Sequence, residues 1–145
     1  MTHTASWQDG NGRSIASADY GTHGGSTLSR PSTIPLRSDN VLVMSMAYDD
    51  AGQVATQTNP GGIKTCLHYD DAGRPTKQIL NCVDGSSSSS SSSSSGVPES
   101  DDTNVTVETA YNADGNVAAI TAKNSITGDQ VTQYIYGTTS LIDGS

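Results

Sequence analysis

The sequence contains no phenylalanine, a single tryptophan and only 7 basic residues against 15 acidic ones, for a formal net charge of −8. This acidic balance argues against nucleic acids and anionic membrane surfaces as partners. No run of about eighteen apolar residues occurs, so we expect no membrane insertion. Because only 32% of the residues belong to the hydrophobic set, the core is expected to be small, and part of the chain is expected to remain disordered or to order only beside neighbours.

Patterns that indicate catalysis or metal binding are also scarce. Serine is so abundant that a set of serine, histidine and aspartate arises readily by chance, and the histidines form no motif. Adjacent aspartates could supply oxygen ligands to Ca²⁺, but turn formation already explains the first aspartate of each repeat described below. We therefore predict no enzyme, no catalytic residue, no metal site and no cofactor. The residues considered are His3, His23, His68 and the pairs Asp49-Asp50, Asp70-Asp71 and Asp101-Asp102.

What the sequence does have is a repeated phrase. The segment 48–54 (YDDAGQV) returns twenty-one residues later as 69–75 (YDDAGRP), and a looser copy, 111–117 (YNADGNV), follows forty-two residues further on. The second interval predicts two periods of twenty-one residues. An aromatic residue followed by Asp, two small or polar residues and Gly is typical of a strand that ends in a tight turn.

Each tyrosine also ends a run of alternating residues. One face of 63–69 carries Ile63, Thr65, Leu67 and Tyr69, which predicts a strand whose last inward-facing residue is the tyrosine. The run that ends at Tyr48 alternates in the same way, and Leu42 lies on the same face of that strand as Tyr48. Further turn signals, 59–62 (NPGG) and 127–129 (TGD), follow the next strand-like runs. Each repeat is therefore predicted to be one β-hairpin, and the row of hairpins an all-β antiparallel meander.

The phrase resembles the YD-repeat or RHS-repeat family, whose unit reads roughly Tyr-Asp-x-x-Gly-Arg. The resemblance covers about three to four repeats between Val41 and Gly137. Two positions depart from the unit: Pro75 predicts a sheet edge or a bulge because proline cannot donate to the ladder, and Asn112 keeps the turn chemistry without the charge. The predicted structural positions of the repeats are Tyr48, Asp49, Gly52, Tyr69, Asp70, Gly73, Arg74, Tyr111, Asn112, Gly115, Tyr136 and Gly137.

The repeats divide the chain into four predicted segments. Residues 1–40 are rich in Gly, Ser and Thr and form a degenerate repeat or a tail. Residues 41–83 hold repeats one and two, and residues 105–145 hold repeats three and four. Between them, residues 84–104 include ten consecutive serines, which predicts a disordered low-complexity linker.

Cys66 and Cys82 are sixteen residues apart, a spacing that fits neither a zinc site nor a redox pair. They flank the second turn phrase, so they form either a disulfide within that hairpin region or two unpaired thiols. A disulfide would favour an oxidising, extracellular setting. Asn104-Val105-Thr106 would be a glycosylation sequon in a host that uses it.

The resemblance implies a non-catalytic structural segment of a cell-surface or secreted β-shell, or of a filament that assembles through strand edges. The expected partners are further YD repeats of the same or another chain, either as a homo-oligomer or within a longer chain. The alternatives are a glycan-binding or adhesion module and a fragment of a toxin-encapsulating shell. Buried tyrosines would favour the structural function, and solvent-exposed tyrosines would favour glycan binding.

Overall fold

The computed structural model describes residues 2–83 and 103–137. Within them lie nine strands, each paired antiparallel with the next in one sheet of order β1 to β9. The predicted all-β antiparallel meander is confirmed. The strands are β1 (Thr4–Gln8), β2 (Ser14–Asp19), β3 (Leu42–Tyr48), β4 (Val54–Thr58), β5 (Lys64–Tyr69), β6 (Pro75–Leu80), β7 (Val105–Tyr111), β8 (Val117–Ala122) and β9 (Gln130–Gln133).

The spacing of the third repeat differs from the sequence-based interpretation. Strand β6 pairs directly with β7, with Leu80 opposite Val105. One hairpin therefore separates Tyr69 from Tyr111, so the prediction of two periods is wrong. The interval is one repeat plus an insertion, because a loop added between two paired strands lengthens the chain without changing their register.

Most of the predicted serine-rich linker, residues 84–102, lies outside the described residues. Its last predicted residue, Asn104, belongs to the sheet end instead. The Asn104 N–H donates to the carbonyl of Asn81 (3.1 Å), and its Oδ1 accepts from the Val83 N–H (3.2 Å). Asn81 and Asn104 both adopt positive φ, so they close the two sides of the insertion.

The first forty residues contain one hairpin, β1–β2, and a long connection, residues 20–41, to β3. This connection contains one short 3₁₀ segment, His23–Gly25. The hairpin joins the sheet through pairing of Ala16 with Ser45 and of Ala18 with Val43. Residues 4–19 therefore occupy the place of a further repeat at the first end of the sheet.

The sheet has two faces with different burial. The tyrosine face carries Tyr48, Tyr69 and Tyr111, and the opposite face carries Trp7, Val43, Cys66 and Ile79 by strand alternation and register. The sequence predicted that the tyrosine face would point inward. The most buried side chains instead lie on the opposite face, which is where the long connection and the disulfide pack.

The connection 20–41 covers the opposite face over β1–β3. The Trp7 indole Nε1 donates to the carbonyl of Pro31 (3.2 Å), and Arg37 Nε donates to the carbonyls of Val43 (3.1 Å) and Asn59 (3.2 Å). Beneath it, Trp7 is 6% exposed and Val43 is 2% exposed. In the part of the chain that the structure describes, no helix is long and apolar enough to cross a membrane.

Candidate functional site

Four turns line up along one edge of the sheet, here called the turn edge: residues 9–13, 49–53, 70–74 and 112–116. In the third, the Asp70 N–H donates to the Arg74 carbonyl (3.0 Å), the Gly73 N–H donates to the Asp70 carbonyl (2.9 Å), and Asp70 Oδ1 accepts from the Arg74 N–H (2.9 Å). The other three turns make the same three bonds. Each turn is thus closed by its own side chain.

The turn glycine completes this geometry. Gly73 has a φ of 80°, and its three counterparts lie between 80° and 85°, a left-handed conformation that glycine adopts without a Cβ clash. Beyond the first residue pair after the turn, each hairpin has a register shift, with one extra residue in its second strand that forms a β-bulge. The same bonds close residues 59–63 at the other edge of the sheet.

The three tyrosines form a ladder, here called the tyrosine ladder, that joins each repeat to the one before it. The hydroxyl of Tyr48 donates to the carbonyl of Ser14 (2.7 Å). The hydroxyls of Tyr69 and Tyr111 donate in the same way to the carbonyls of Val54 (3.1 Å) and Pro75 (2.8 Å). Each acceptor is the first strand residue after the preceding turn. The phenol therefore supplies a hydrogen bond where the backbone pairing between repeats has ended.

Arginine at the fifth turn position links a turn to the next repeat. Arg74 pairs with Asp70, with Nε at 2.7 Å and Nη2 at 2.6 Å from Oδ2, and its guanidinium lies 4.5 Å from the centre of the Tyr111 ring. Arg13 repeats this arrangement with Asp9 (2.7 Å) and with the Tyr48 ring (4.4 Å). Such cation–π contacts stabilise by about 0.5–1 kcal/mol at exposed sites.

The departures from the repeat unit have local replacements. Gln53 stands where the first and third turns have arginine, and its Nε2 donates to the carbonyl of Gly73 (3.0 Å) in the next repeat. Asn112 keeps the turn, since its Oδ1 accepts from the Asn116 N–H (2.9 Å). Pro75 begins β6 opposite Tyr69 at the bulge, in an interior strand, and so displaces no regular ladder bond.

The register also places the last predicted positions, Tyr136 and Gly137. In the three complete junctions, the tyrosine comes three residues after the last residue paired with the preceding repeat. At β8–β9 that residue is Gln133, and the same spacing falls on Tyr136, with Gly137 at the position of aspartate; their repeat function stays a prediction. The last pairs of the four junctions are Ala16 with Ser45, Thr56 with Cys66, Lys77 with Glu108 and Ala119 with Gln133.

Residues 48–81 match the family model described as RHS Repeat. This segment is similar to an RHS repeat. The resemblance read from the phrase is confirmed there, and the matched residues include the second and third turns of the turn edge with Tyr48 and Tyr69. No curated protein matches the chain. Among solved structures, the Tc holotoxin pore of Photorhabdus luminescens is similar, with a TM-score of 0.42 and 18% identity over 94% of this chain. This chain spans 7% of that one.

Beyond the covered strands, the face opposite the tyrosines forms an open concavity of about 1270 Å³, bordered by the second and third turns. Its floor includes His68, Lys77 and Glu108, with Lys77 Nζ 3.9 Å from Glu108 Oε1. Burial lowers the pKa of His68, and the charge of Lys77 lowers it further. The imidazole is therefore neutral near pH 7.

The same face holds a second ion pair close to the sheet end. Lys123 Nζ lies 2.5 Å from Asp129 Oδ2 and 4.0 Å from Glu108 Oε2. The bond to Asp129 raises the pKa of Lys123 and lowers that of Asp129. No three His, Cys, Asp or Glu side chains converge as a metal site among residues 2–83 and 103–137. The ion pairs of Glu108 with Lys77 and Lys123 thus join β7 to β6 and to the end of β8.

Cys66 in β5 and Cys82 after β6 form a disulfide, with their Cα atoms 6.1 Å apart. Both are buried and pack with Ile79 in a second small cluster. The Cys82 N–H donates to the Lys64 carbonyl (3.0 Å), so the bond fastens the end of the hairpin from which the insertion departs. The sequence left this pairing open.

Sequence reasoning missed the first repeat of the turn edge. It did not assign residues 9–13 to the repeat, because the tyrosine position holds Gln8. The signal was present: Asp9, Gly12 and Arg13 keep the spacing of Asp70, Gly73 and Arg74. The covering contacts of the connection 20–41 have no comparable signal, since they join residues distant in sequence.

Proposed function

We propose that this chain is a non-catalytic structural segment of an RHS-repeat wall, whose strand edges pair with further repeats of the same or another chain. The observation that carries the proposal is the tyrosine ladder. Its three junctions use the same hydroxyl-to-carbonyl bond, so an additional repeat can join by repeating that contact. Repeat proteins of this kind are stabilised mainly by their nearest neighbours.

The open ends of the sheet support the same function. Each of β1 and β9 has a strand partner on one side within the described residues. A strand edge presents unpaired backbone groups, which recruit another strand. A wall of such repeats grows by adding hairpins at these edges.

The tyrosines favour a structural function over glycan binding. Tyr48, Tyr69 and Tyr111 are half-buried, and their hydroxyls already donate to backbone carbonyls. Two of the rings also lie beneath arginine side chains. A sugar that stacked on these rings would have to displace contacts that hold the repeats together.

The setting we propose is extracellular or at the cell surface, in a larger β-shell. The Cys66–Cys82 disulfide supports it, because disulfides persist mainly in oxidising compartments. A shell that encloses a toxin is one form of such a wall.

The test is light scattering behind a sizing column, over a range of protein concentrations, with a far-ultraviolet circular dichroism spectrum of each peak. We expect a β-rich species heavier than the 14.9 kDa chain. A β-rich monomer at every concentration would contradict edge pairing, and the monomer would then be tested on glycan arrays. A disordered monomer would contradict the independent fold and indicate a segment that folds only beside neighbouring repeats.

A further inference from the structure

We propose that the tyrosine face of strands β3–β8 packs on the tyrosine face of a second copy of this chain, in a two-fold symmetric pair. This interface goes beyond the proposed wall, because it uses a face of the sheet and leaves the strand edges unchanged. The juxtaposition that carries it is an uncharged, solvent-exposed apolar face on one side of the sheet and all the charges of the same strands on the other.

The charges of β3–β8 all lie on one side of the sheet. The residues of these strands that are charged at pH 7 are Lys64, Lys77 and Glu108. Alternation and register place them on the opposite face, with Cys66. The tyrosine face of the same strands therefore carries uncharged side chains throughout. An antiparallel sheet with one solvated face commonly turns its polar side to water and its apolar side to a core, so the tyrosine face has the composition of a packed face.

A row of large apolar side chains on this face is exposed, here called the aliphatic row. Its members are Leu42 (48% exposed), Ile63 (49%), Leu80 (44%) and Val105 (40%). Leu42, Ile63 and Val105 each stand six residues before a tyrosine of the ladder, so they recur along the sheet as the tyrosines do. Leu80 pairs with Val105 across β6–β7. Apolar surface that recurs in this way along an exposed face marks an interaction site.

A second copy has the chemistry to cover this face, whereas the two long connections of the chain do not. The connection 20–41 packs on the opposite face. The other, residues 84–102, has ten consecutive serines, five acidic or glycine-flanked positions aside, and a single large apolar residue, Val97. Two tyrosine faces, by contrast, bring apolar surface to apolar surface with no like charges opposite each other, which would cost several kcal/mol.

The charge of the turn edge selects the orientation of the two copies. Its four turns contain six acidic and two basic residues. A two-fold axis along the strands would stack the two acidic turn edges, so that they repel. An axis across the strands places them at opposite ends and lays each strand antiparallel over its own copy. The aliphatic row then packs on the partner's tyrosine ladder. On β5, Ile63 meets the ring of Tyr69, over which no arginine lies within residues 2–83 and 103–137.

The area of the face sets the expected strength of the pair. Strands lie about 4.8 Å apart and rise about 3.3 Å per residue, so the six strands β3–β8 present a face of about 600 Å² on each copy. The total of about 1,200 Å² is at the lower end of the range for specific interfaces. We therefore expect a concentration-dependent dimer, with the two sheets about 10 Å apart and their strands within about 30° of each other.

The test compares matched lysine substitutions on the two faces of β7, in the full chain. Val105 lies on the tyrosine face and Ala110 on the opposite face, and both are exposed. Light scattering is expected to show a concentration-dependent approach to twice the 14.9 kDa chain mass for wild type and Ala110→Lys. Val105→Lys should raise the dimer dissociation constant by about tenfold or more, because it buries an unpaired charge. Leu42→Lys should do the same, and circular dichroism checks that each variant is folded.

A cross-link tests the orientation. With the axis across the strands, residues near the middle of a strand on the tyrosine face lie close to their own copies. Because packed sheets are about 10 Å apart, a bis-maleimide linker of about that length should join two copies of Thr109→Cys. Ala110→Cys, on the opposite face of the same strand, should stay uncross-linked on a denaturing gel. A dimer that Thr109→Cys does not cross-link would overturn the proposed orientation.

The outcomes separate this inference from the proposed function. If Val105→Lys and Leu42→Lys associate as the wild type does, the face pairing is wrong and edge pairing stands. If they become monomers, the face pairing holds and edge pairing has failed under the same conditions. A folded wild-type monomer would overturn both. If that monomer binds the apolar dye ANS, and Val105→Lys reduces the binding while Ala110→Lys does not, the tyrosine face takes a different partner.

Discussion

The two ends of the sheet have the same turn chemistry and different burial. Over β1–β3, the connection 20–41 covers Trp7, Ala16, Ala18 and Val43, which form the largest buried cluster. In β7–β9, by contrast, every residue is half-buried or exposed. The turns at both ends still make the same bonds. The repeat geometry therefore forms without a covered face, and burial depends on what packs over the sheet.

The middle of the sheet is intermediate. Within residues 2–83 and 103–137, no connection covers β5 and β6, and the disulfide with Ile79 supplies a small buried cluster instead. Small cores that bury little apolar surface are commonly reinforced by disulfides. Three regions of one sheet are thus stabilised in three ways: by a covering connection, by a covalent bond, and by turns and the tyrosine ladder.

The change with the largest expected effect breaks the covered end. Trp7→Ala is expected to lower the free energy of unfolding by about 3–5 kcal/mol, because it removes a buried aromatic side chain and leaves a cavity. Urea unfolding followed by circular dichroism measures this loss. Ile135→Ala, at a position 93% exposed, is the control and should change stability by less than about 0.5 kcal/mol. Equal effects of the two variants would contradict the contrast between the ends.

The disulfide is expected to have the next largest effect. The two cysteines are 16 residues apart. A disulfide that closes a loop of about 15 residues stabilises a protein by about 3 kcal/mol, so breaking this one should lower the free energy of unfolding by about that amount. Urea melts with and without reductant measure the difference. The double variant Cys66→Ser, Cys82→Ser should start at the lower stability and show no response to reductant. A reductant response in that variant would contradict the assignment.

A third change tests the turn edge itself. In Gly73→Val, a β-branched residue must adopt a φ of 80°, and its Cβ would lie 3.0 Å from Gln53 Nε2. We expect a loss of roughly 1–3 kcal/mol, the typical cost of a strained backbone conformation. Deletion of Ser86–Ser95 is the comparison and should be nearly neutral, since loop length has a small effect on stability. Thermal melts that ranked the two in the reverse order would contradict both assignments.

The tyrosine ladder should contribute less per contact. Tyr111→Phe removes the bond to the Pro75 carbonyl and keeps the ring beneath Arg74. The expected loss is about 0.5–1.5 kcal/mol, as for a typical intramolecular hydrogen bond. Tyr136→Phe, at an exposed tyrosine outside the ladder, should have little effect. A larger effect at Tyr136 than at Tyr111, measured by urea unfolding, would contradict the ladder assignment.

The smallest expected effect is a pH dependence of individual turns. The bonds from Arg74 lower the pKa of Asp70 below its usual 3.8, so the unfolded chain takes up the proton first as the pH falls. The stabilisation is then complete above about pH 4 and is lost as the pH falls through the folded-state pKa.

The fourth turn provides a control within the same chain, because Asn112 holds the place of Asp70 and does not titrate. The protection of the Gly73 amide against exchange, relative to the intrinsic rate at the same pH, should fall in acid, while that of Gly115 should not fall through this titration. Asp70→Asn should make the third turn behave like the fourth. Identical acid responses of Gly73 and Gly115 in the wild-type chain would contradict the role of the carboxylate.

The local parts of the fold were readable from the sequence. The phrase beginning at Tyr69 predicted a strand, a turn and a second strand, and the structure has β5, the turn at residues 70–74 and β6. The prediction of an antiparallel meander followed from the succession of such units. The prediction of two repeat periods between Tyr69 and Tyr111 was wrong. An insertion of about twenty residues lengthens the chain as much as a further repeat does, so the spacing alone does not distinguish them.

The sequence by itself determined the turns, because an aspartate or asparagine side chain bonds to the backbone four residues on and the glycine supplies the left-handed φ. These are contacts between near neighbours in the chain. Only the tertiary structure decided which face of the sheet is buried, because the connection 20–41 covers Trp7 and Val43. Its residues Arg30, Pro31 and Arg37 hydrogen-bond to strands that are distant in sequence or separated by the connection's own turn. Alternation specifies two faces of a strand, but covering one of them requires chain from elsewhere.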